Sequence, residues 1–253
     1  GYASISISDL SLPESGTLLD NQNGTYTFTA ANDFLGWQRL TYLSNDGHGT
    51  DLGEIYIHVQ INEAPKVEQL VMANGGSHSL ALFDDGLVYA WGNNSSGQFG
   101  HNEYQTLYLP MRVTGISDVK SLAGSSRSSF ALTNSGEVWY LGGGLDAPEK
   151  LVSTGTITDM TTMGYYVYLL KSDGSIVKSY SSNKPTSFTA VSGLSNITAI
   201  VAGTDHLLAL DASKFVWGLG RNSSGQLGDG SETWSADTPV KVSKISNIAV
   251  IEA

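Results

Sequence analysis

The sequence has 253 residues, of which only 15% are charged, and its formal net charge is −11 at pH 7. The 13 basic residues are scattered, which argues against nucleic-acid binding because phosphate contacts need clustered Lys and Arg. There is no cysteine, so disulfides and thiolate chemistry are excluded. The chain also lacks the run of about 18 apolar residues that a membrane-spanning helix requires. Short apolar segments and 29 glycines favour an all-β protein with many turns.

The first 65 residues contain alternating apolar and polar segments separated by turn-forming clusters such as DNQNG and NDGHG. Strict alternation is typical of strands with one buried face. Two packed sheets are the simplest arrangement for such strands, so residues 1–65 are predicted to be a β-sandwich module. The predicted strands are ISIS at 5–8, TYTFTA at 25–30, RLTYLS at 39–44 and EIYIHVQI at 54–61.

The run from Asn23 to Pro65 resembles the C-terminal part of the cadherin-like, immunoglobulin-like modules of large bacterial adhesins. This resemblance implies an extracellular module, and in that family calcium often binds at the joint between neighbours. Calcium prefers several oxygen ligands; the matching residues here are Asp46, Asp51, Asn62 and Glu63. Glu63 replaces the usual aspartate, and a polar turn followed by a solvated linker is the alternative interpretation.

From Lys66 onward one unit recurs four times. Its alanine or leucine marker recurs at intervals of 50, 38 and 40 residues, at Ala81, Ala131, Leu169 and Ala209. Five residues later each copy reaches a turn, at Gly86, Gly136, Gly174 and Lys214, and further on each has one proline, at Pro110, Pro148, Pro185 and Pro239. Periods of this length are typical of propellers and solenoids.

The strings AWGNNSSGQFG at 90–100 and GLGRNSSGQLG at 218–228 are nearly identical. Together with the strands around them they resemble the RCC1 (regulator of chromosome condensation type) repeat, whose members fold as β-propellers. We therefore expect an all-β chain in which about four RCC1-type blades, part of a larger propeller, follow a partial Ig-like/cadherin-like β-sandwich. The expected blades cover about 67–116, 117–157, 158–194 and 195–245 within a domain at 66–253, and a fifth begins at 246–253.

Three residues of the repeat suggest structural roles. His78 and His206 occupy the same repeat position, so we expect imidazoles that bond to the backbone between blades rather than catalytic or metal-binding groups. Lys214 stands where the other copies have glycine. Either the turn type changes there or the loop is strained.

Copies one and four have about a dozen more residues before their proline than copies two and three. These extra segments, 101–109 and 229–238, carry exposed aromatic candidates for binding, although loops of this length also suit a complete RCC1 repeat. Aromatic side chains on loops are frequent anchors of binding faces. The ligand-contact candidates are Tyr104, Tyr108 and Trp234, followed by Arg127, Tyr165 and Tyr166.

No nucleophile elbow, HExxH motif, P-loop or dinucleotide fingerprint occurs, so we expect a non-catalytic protein. The two resemblances together imply an extracellular or cell-surface adhesin-type protein, continued at both ends, whose propeller binds protein or glycan. Self-association through open blade edges is a further expectation. The alternatives are a secreted inhibitor similar to the RCC1-type inhibitors of β-lactamase and, against the acidic charge, an intracellular guanine-nucleotide exchange or chromatin factor.

Overall fold

The computed structural model describes residues 6–8, 10–13, 16–23, 25–31, 36–45, 50–59, 65–100, 104–151 and 155–252. These residues form strands, turns and loops but no helix, and they divide into two compact units, Gly1–Pro65 and Lys66–Ala253. Among the described residues no helix has the length and hydropathy that a membrane span requires. The all-β prediction is confirmed.

The N-terminal unit contains two antiparallel sheets. Its three-stranded sheet is ordered β1-β4-β5 and its two-stranded sheet pairs β2 with β3. The β4–β5 hairpin is the longest pairing, with Asn45 opposite Thr50 and Leu40, almost fully buried, opposite Ile55. The strands are β1 (Ser6–Ser8), β2 (Gly16–Asp20), β3 (Tyr26–Ala30), β4 (Gly36–Asn45) and β5 (Thr50–Val59).

The second unit consists of four antiparallel sheets of four strands each, taken in chain order. We call them blades one to four; each is a meander in which consecutive strands pair. Blade one contains β6 (Val67–Met72), β7 (His78–Phe83), β8 (Val88–Gly92) and β9 (Leu107–Arg112), and blade two contains β10 (Val119–Gly124), β11 (Ser128–Thr133), β12 (Val138–Gly142) and β13 (Glu149–Lys150). Blade three contains β14 (Ile157–Met163), β15 (Tyr166–Lys171), β16 (Ile176–Tyr180) and β17 (Thr189–Ala190), and blade four contains β18 (Ile197–Ala202), β19 (His206–Asp211), β20 (Val216–Arg221) and β21 (Ser235–Lys241).

The hairpin between the second and third strands is the same in all four blades. The Gly86 N–H donates to Phe83 O, and the Lys214 N–H donates to Asp211 O at the same 2.9 Å. Lys214 adopts a φ of 65°, close to the 77° of Gly86. The turn type is therefore unchanged, and the lysine occupies a left-handed conformation that glycine adopts at lower cost.

The blades are held together by apolar contacts between successive sheets. In the first interface, Leu80 and Leu82 of blade one pack with Val119 and Leu122 of blade two. Equivalent clusters join blades two and three and blades three and four. Leu70 holds the position in blade one that Leu122 holds in blade two, yet it is 63% exposed while Leu122 is 3% exposed. The face of blade one that points away from blade two is therefore not covered by the described residues.

In each long copy one buried turn precedes the extra segment. The Asn94 side-chain oxygen accepts the Phe99 N–H at 3.0 Å, and Asn222 does the same for the Leu227 N–H. Both amides are buried, and Phe99 and Leu227 are fully buried. The identical spacing of NSSGQ-F/L-G in copies one and four therefore reflects the same local turn. Copies two and three lack the turn, and their outer strands, β13 and β17, have only two residues.

His78 lies in the interface between blades one and two, where it is 3% exposed. Its Nε2 is 2.9 Å from the hydroxyl of Ser129 in blade two. The predicted inter-blade role fits this position, but the prediction of a backbone partner was wrong because a serine side chain reaches the imidazole first. Burial lowers the pKa of His78 to about 4. His206, at the same repeat position, is only half-buried.

The first strands of the four blades surround a common cavity of about 370 Å³. At one end of it the backbone N–H of Asn74 donates to Gly124 O of blade two at 2.8 Å. The Asn74 side-chain amide donates to Thr162 O of blade three at 3.0 Å and to Gly203 O of blade four at 2.8 Å. A single asparagine thus ties blade one to each of the other three.

Candidate binding face

The connectivity of the blades brings one set of loops to the same end of the propeller unit. In each meander the loops after the first and third strands lie at one end, and the tight hairpins such as Asp84–Gly86 lie at the other. We call the first end the loop face. All six predicted contact residues lie in these loops or within two residues of them, namely Tyr104, Tyr108, Arg127, Tyr165, Tyr166 and Trp234.

Hydrogen bonds between neighbouring loops join four of these residues into a line across blades two, three and four. The Ser128 hydroxyl, next to Arg127, donates to Ser181 O at 2.6 Å. The Ser181 N–H, next to Tyr180, donates to Tyr165 O at 2.7 Å.

The line then continues into blade four. The Gly164 N–H donates to Thr204 O at 3.0 Å, and Thr204 precedes Asp205. The Arg221 N–H donates to Asp205 O, and the Asn222 N–H donates to Trp234 O at 2.7 Å. We define the aromatic row as Arg127, Tyr165, Tyr166, Lys178, Tyr180, Asp205, Arg221 and Trp234.

Blade three contributes a cluster of three exposed tyrosines. The Tyr180 ring is 6.0 Å from the Tyr165 ring and 5.7 Å from the Tyr166 ring, which it meets edge-on at 84°. Lys178 Nζ lies 5.2 Å above the Tyr166 ring. These spacings fall in the range of favourable aromatic and cation–π contacts, so the rings hold one another in place while about half of each remains exposed.

Blade four contributes Trp234, which is 71% exposed. The Arg221 guanidinium lies 5.5 Å from its ring centroid, and Arg221 Nη1 is 3.2 Å from an Asp205 carboxylate oxygen. Arg221 Nε donates to the Ser223 hydroxyl at 2.7 Å. The guanidinium is thereby fixed by three neighbours before any partner binds, which reduces the entropy cost of a contact there.

Tyr104 and Tyr108 lie on blade one rather than in the aromatic row. The Tyr104 hydroxyl donates to Gly144 O of blade two at 3.3 Å, and about half of the residue is exposed. Tyr108, on the outermost strand β9, is 91% exposed. Both remain predicted contact residues on the loop face, separate from the row.

The predicted calcium ligands lie largely outside the described residues. Asp46, Asn62 and Glu63 are not described, and Asp51 is described only as a backbone position in β5. Among the described residues no group of three or more His, Asp or Glu side chains could hold a metal ion. The calcium site remains a prediction.

Sequence reasoning missed Tyr180, Lys178 and Arg221. A usable signal existed for Tyr180, because it pairs with Tyr166 at a register position where the other blades have Gly92, Gly142 and Gly220. A tyrosine in place of a repeat glycine indicates a local addition to the repeat. The sequence holds no comparable signal for Arg221, because its role depends on contact with Trp234, which lies beyond a loop.

Comparisons with known proteins agree with this architecture. The family model for the regulator of chromosome condensation (RCC1) repeat matches residues 72–98 and 215–253, and that for the cadherin-like domain matches residues 2–60. The chain is 29% identical over 195 residues to the RCC1 domain-containing protein RUG3, mitochondrial, of Arabidopsis thaliana, covering 63% of this chain and 44% of that protein. It is 27% identical over 198 residues to protein pim1 of Schizosaccharomyces pombe, covering 73% of this chain and 33% of that protein. The chain thus spans less than half the length of these relatives.

Solved structures show the same fold. Human WBSCR16 superposes with a TM-score of 0.62 at 18% identity, covering 94% of this chain and 67% of that one. Prp20p of Saccharomyces cerevisiae, whose structure was described with its binding properties to Gsp1p and histones, superposes with a TM-score of 0.56 at 17% identity, covering 82% of this chain and 61% of that one. The second unit of the chain thus has the fold of RCC1-type β-propellers, and its N-terminal part is similar to cadherin-like domains.

Proposed function

We propose that the propeller unit is a non-catalytic protein-binding module whose contact surface is the loop face. The observation that carries this proposal is the aromatic row, in which exposed Tyr, Trp and Arg side chains from three blades are aligned by hydrogen bonds between their loops. Tyr, Trp and Arg are the residues most enriched among those that dominate protein–protein binding energy. A rigid β scaffold that presents them needs little rearrangement on binding.

The buried groups with large pKa shifts support a structural rather than a catalytic use of the blade interiors. Burial raises the pKa of Tyr140 and of Tyr168 to about 12 and lowers that of His78 to about 4. All three side chains are almost fully buried in or beside the apolar contacts between blades. Shifts of this kind follow from desolvation.

We further propose that the whole protein is displayed outside the cell as an adhesin-type protein. Its cadherin-like part supports this location, because the resemblance is to modules of surface-attached chains. A protein partner is favoured over a glycan because yeast Prp20p, a propeller of the same fold, has reported binding to Gsp1p and histones. Location and partner are tested separately.

For location, intact cells that express the epitope-tagged full chain are treated with protease, and loss of the tag is followed by immunoblotting. Loss from intact cells is expected, whereas protection until the cells are lysed would contradict surface display.

For the contact face, chemical cross-linking on cells compares the wild-type chain with the variant Tyr165→Ala/Trp234→Ala. We expect the variant to lose the cross-linked protein. The control Tyr26→Ala removes an exposed tyrosine from the N-terminal unit. Equal cross-linking by all three chains would contradict a contact role for the loop face.

A further inference from the structure

The aromatic row differs in charge from the rest of the protein. The whole chain has 24 acidic and 13 basic residues. The row, in contrast, contains three cations, Arg127, Lys178 and Arg221, and the single carboxylate of Asp205. The residues of the row therefore carry a net positive charge of their own, although the loop that carries Trp234 also holds Asp229 and Glu232. The cations that lie away from these carboxylates in sequence are Arg127 of blade two and Lys178 of blade three, and Lys178 stands among exposed aromatic rings.

Two of these cations are available for a partner. Among the described residues neither Arg127 nor Lys178 forms an ion pair with a carboxylate. Lys178 is held instead over the rings of Tyr166 and Tyr168, at 5.2 and 5.8 Å. A cation stabilised by ring faces keeps its N–H donors free for an anionic group.

The third cation, Arg221, is shared between Asp205, Ser223 and Trp234. Its planar guanidinium still presents further N–H donors, since it carries five. The tyrosine hydroxyls along the row add further hydrogen-bond donors. The row thus offers many donors and flat apolar faces, and its carboxylates, Asp205 together with the neighbouring Asp229 and Glu232, all belong to blade four.

We propose that the aromatic row binds an extended acidic peptide segment of a protein partner. Carboxylates of the segment pair with Arg127 and Lys178, and its apolar side chains lie against Tyr165, Tyr180 and Trp234. The inference rests on the proposed protein-binding function and specifies the charge of the partner. The net acidic charge of the remaining surface disfavours binding of an acidic segment elsewhere.

The test uses a fluorescein-labelled peptide of glutamate with interspersed leucine, titrated with the full chain and followed by fluorescence anisotropy. Matched peptides with glutamine or lysine in place of glutamate serve as probes of charge. We expect binding of the glutamate peptide alone, weakened by added salt because the contacts are exposed ion pairs. Equal binding of the glutamine peptide would overturn the proposal.

Charge-reversal variants locate the site. Arg127→Glu/Lys178→Glu is expected to weaken binding by about tenfold, the effect of two exposed ion pairs. The control Lys171→Glu/Lys214→Glu changes the net charge by the same amount at the hairpin end of the blades and is expected to bind as wild type. Similar losses in both variants would overturn the proposal, because they would show a long-range charge effect.

A third variant keeps the charge unchanged. Tyr180→Gly restores the residue that the other three blades carry at this position and is expected to weaken binding severalfold through lost ring contact. Thermal unfolding followed by circular dichroism checks that each variant is folded. A sulfated oligosaccharide that binds more tightly than the glutamate peptide and displaces it would overturn the peptide assignment.

Failure of this inference is distinguishable from failure of the proposed function. If Tyr165→Ala/Trp234→Ala loses its cross-linked protein while charge reversal has no effect, the binding face stands and the acidic partner is rejected. If neither variant changes cross-linking, both are rejected.

Discussion

The side-chain amide of Asn74 donates a hydrogen bond to the carbonyl oxygen of Gly203, 129 residues later in the chain, at 2.8 Å. The same amide reaches Thr162 O, and the Asn74 backbone reaches Gly124 O. Among the described residues the apolar clusters join blades that are neighbours in sequence, whereas this residue links blade one to blade four.

Replacing Asn74 with alanine removes two inter-blade donors and leaves two carbonyls without them. We expect a loss of about 1–3 kcal/mol in the free energy of unfolding, the usual range for two such bonds, measured by urea denaturation. Asn183→Ala, on an exposed loop of blade three, is the control and should have little effect. Equal stability of the two variants would show that the Asn74 bonds do not contribute.

Lys214 holds a left-handed turn position at a φ of 65°. Lys214→Gly should increase the free energy of unfolding by up to about 1 kcal/mol, because glycine adopts this conformation without the Cβ clash. Ala212→Gly, in the same turn but without a positive φ, should instead lower stability by adding flexibility to the unfolded chain. A destabilised Lys214→Gly protein would disprove the strain.

His78 makes stability depend on pH. Burial lowers its pKa from 6.5 to about 4, so the unfolded chain takes up a proton first as the pH falls. The contribution of the neutral, buried imidazole is fully present above pH 6.5 and is lost between pH 6.5 and about 4, a loss on the order of 3 kcal/mol. Urea denaturation across this range should show the decline in wild type and in His206→Gln, and a smaller decline in His78→Gln. If the stability of His78→Gln declines as much as that of wild type, other groups cause the pH dependence.

Asp159 connects blade three to blade four by accepting the Ile200 N–H at 3.0 Å. Burial raises its pKa, an effect that hydrogen bonds from Ile200 and Met160 partly offset. A raised pKa means that stability falls as pH rises from the unfolded value through the folded one, because the carboxylate must ionise while buried.

Gln69 makes the equivalent contact from blade one, accepting the Leu122 N–H at 2.7 Å. Asp159→Gln should therefore keep the contact, remove this pH dependence and match or exceed wild-type stability at neutral pH. Asp159→Leu should cost about 1–3 kcal/mol by leaving the Ile200 N–H unpaired. Thermal unfolding at several pH values compares the two variants. If the glutamine variant is as unstable as the leucine variant, glutamine does not keep the contact with the Ile200 N–H.

Leu70 and Leu122 occupy the same repeat position in different surroundings. Leu122→Asp buries a carboxylate in the interface of blades one and two and should unfold the protein or cost several kcal/mol, on the order of 3 or more. Leu70→Asp should change the free energy of unfolding by less than about 0.5 kcal/mol. If the uncovered face of blade one drives self-association, the same substitution should also reduce the mass measured by sedimentation at high protein concentration. Comparable destabilisation by both substitutions would show that Leu70 is covered.

Structural features that depend only on neighbouring residues could be predicted from the sequence. The hairpins at Gly86, Gly136 and Gly174 follow from turn residues between apolar runs, and the buried turns that begin at Asn94 and Asn222 follow from near-identical strings. Strand β2 escaped prediction because GTLLD does not alternate. Partnerships distant in sequence, such as Asn74 with Gly203, could not be predicted, because nothing in an Asn-Gly-Gly segment specifies a carbonyl more than a hundred residues away.

The short outer strands of blades two and three indicate where the repeat tolerates insertions and deletions. The apolar clusters between blades draw mainly on the inner three strands, and the residue after each outer strand keeps one bond inward, as Leu151 N–H does to Val138 O. Insertions and deletions at the circumference therefore leave the spacing around the axis intact, while a single residue gained or lost in an inner strand would shift its register. The four copies accordingly differ in the length of their outer strands, from two residues in blades two and three to six and seven in blades one and four.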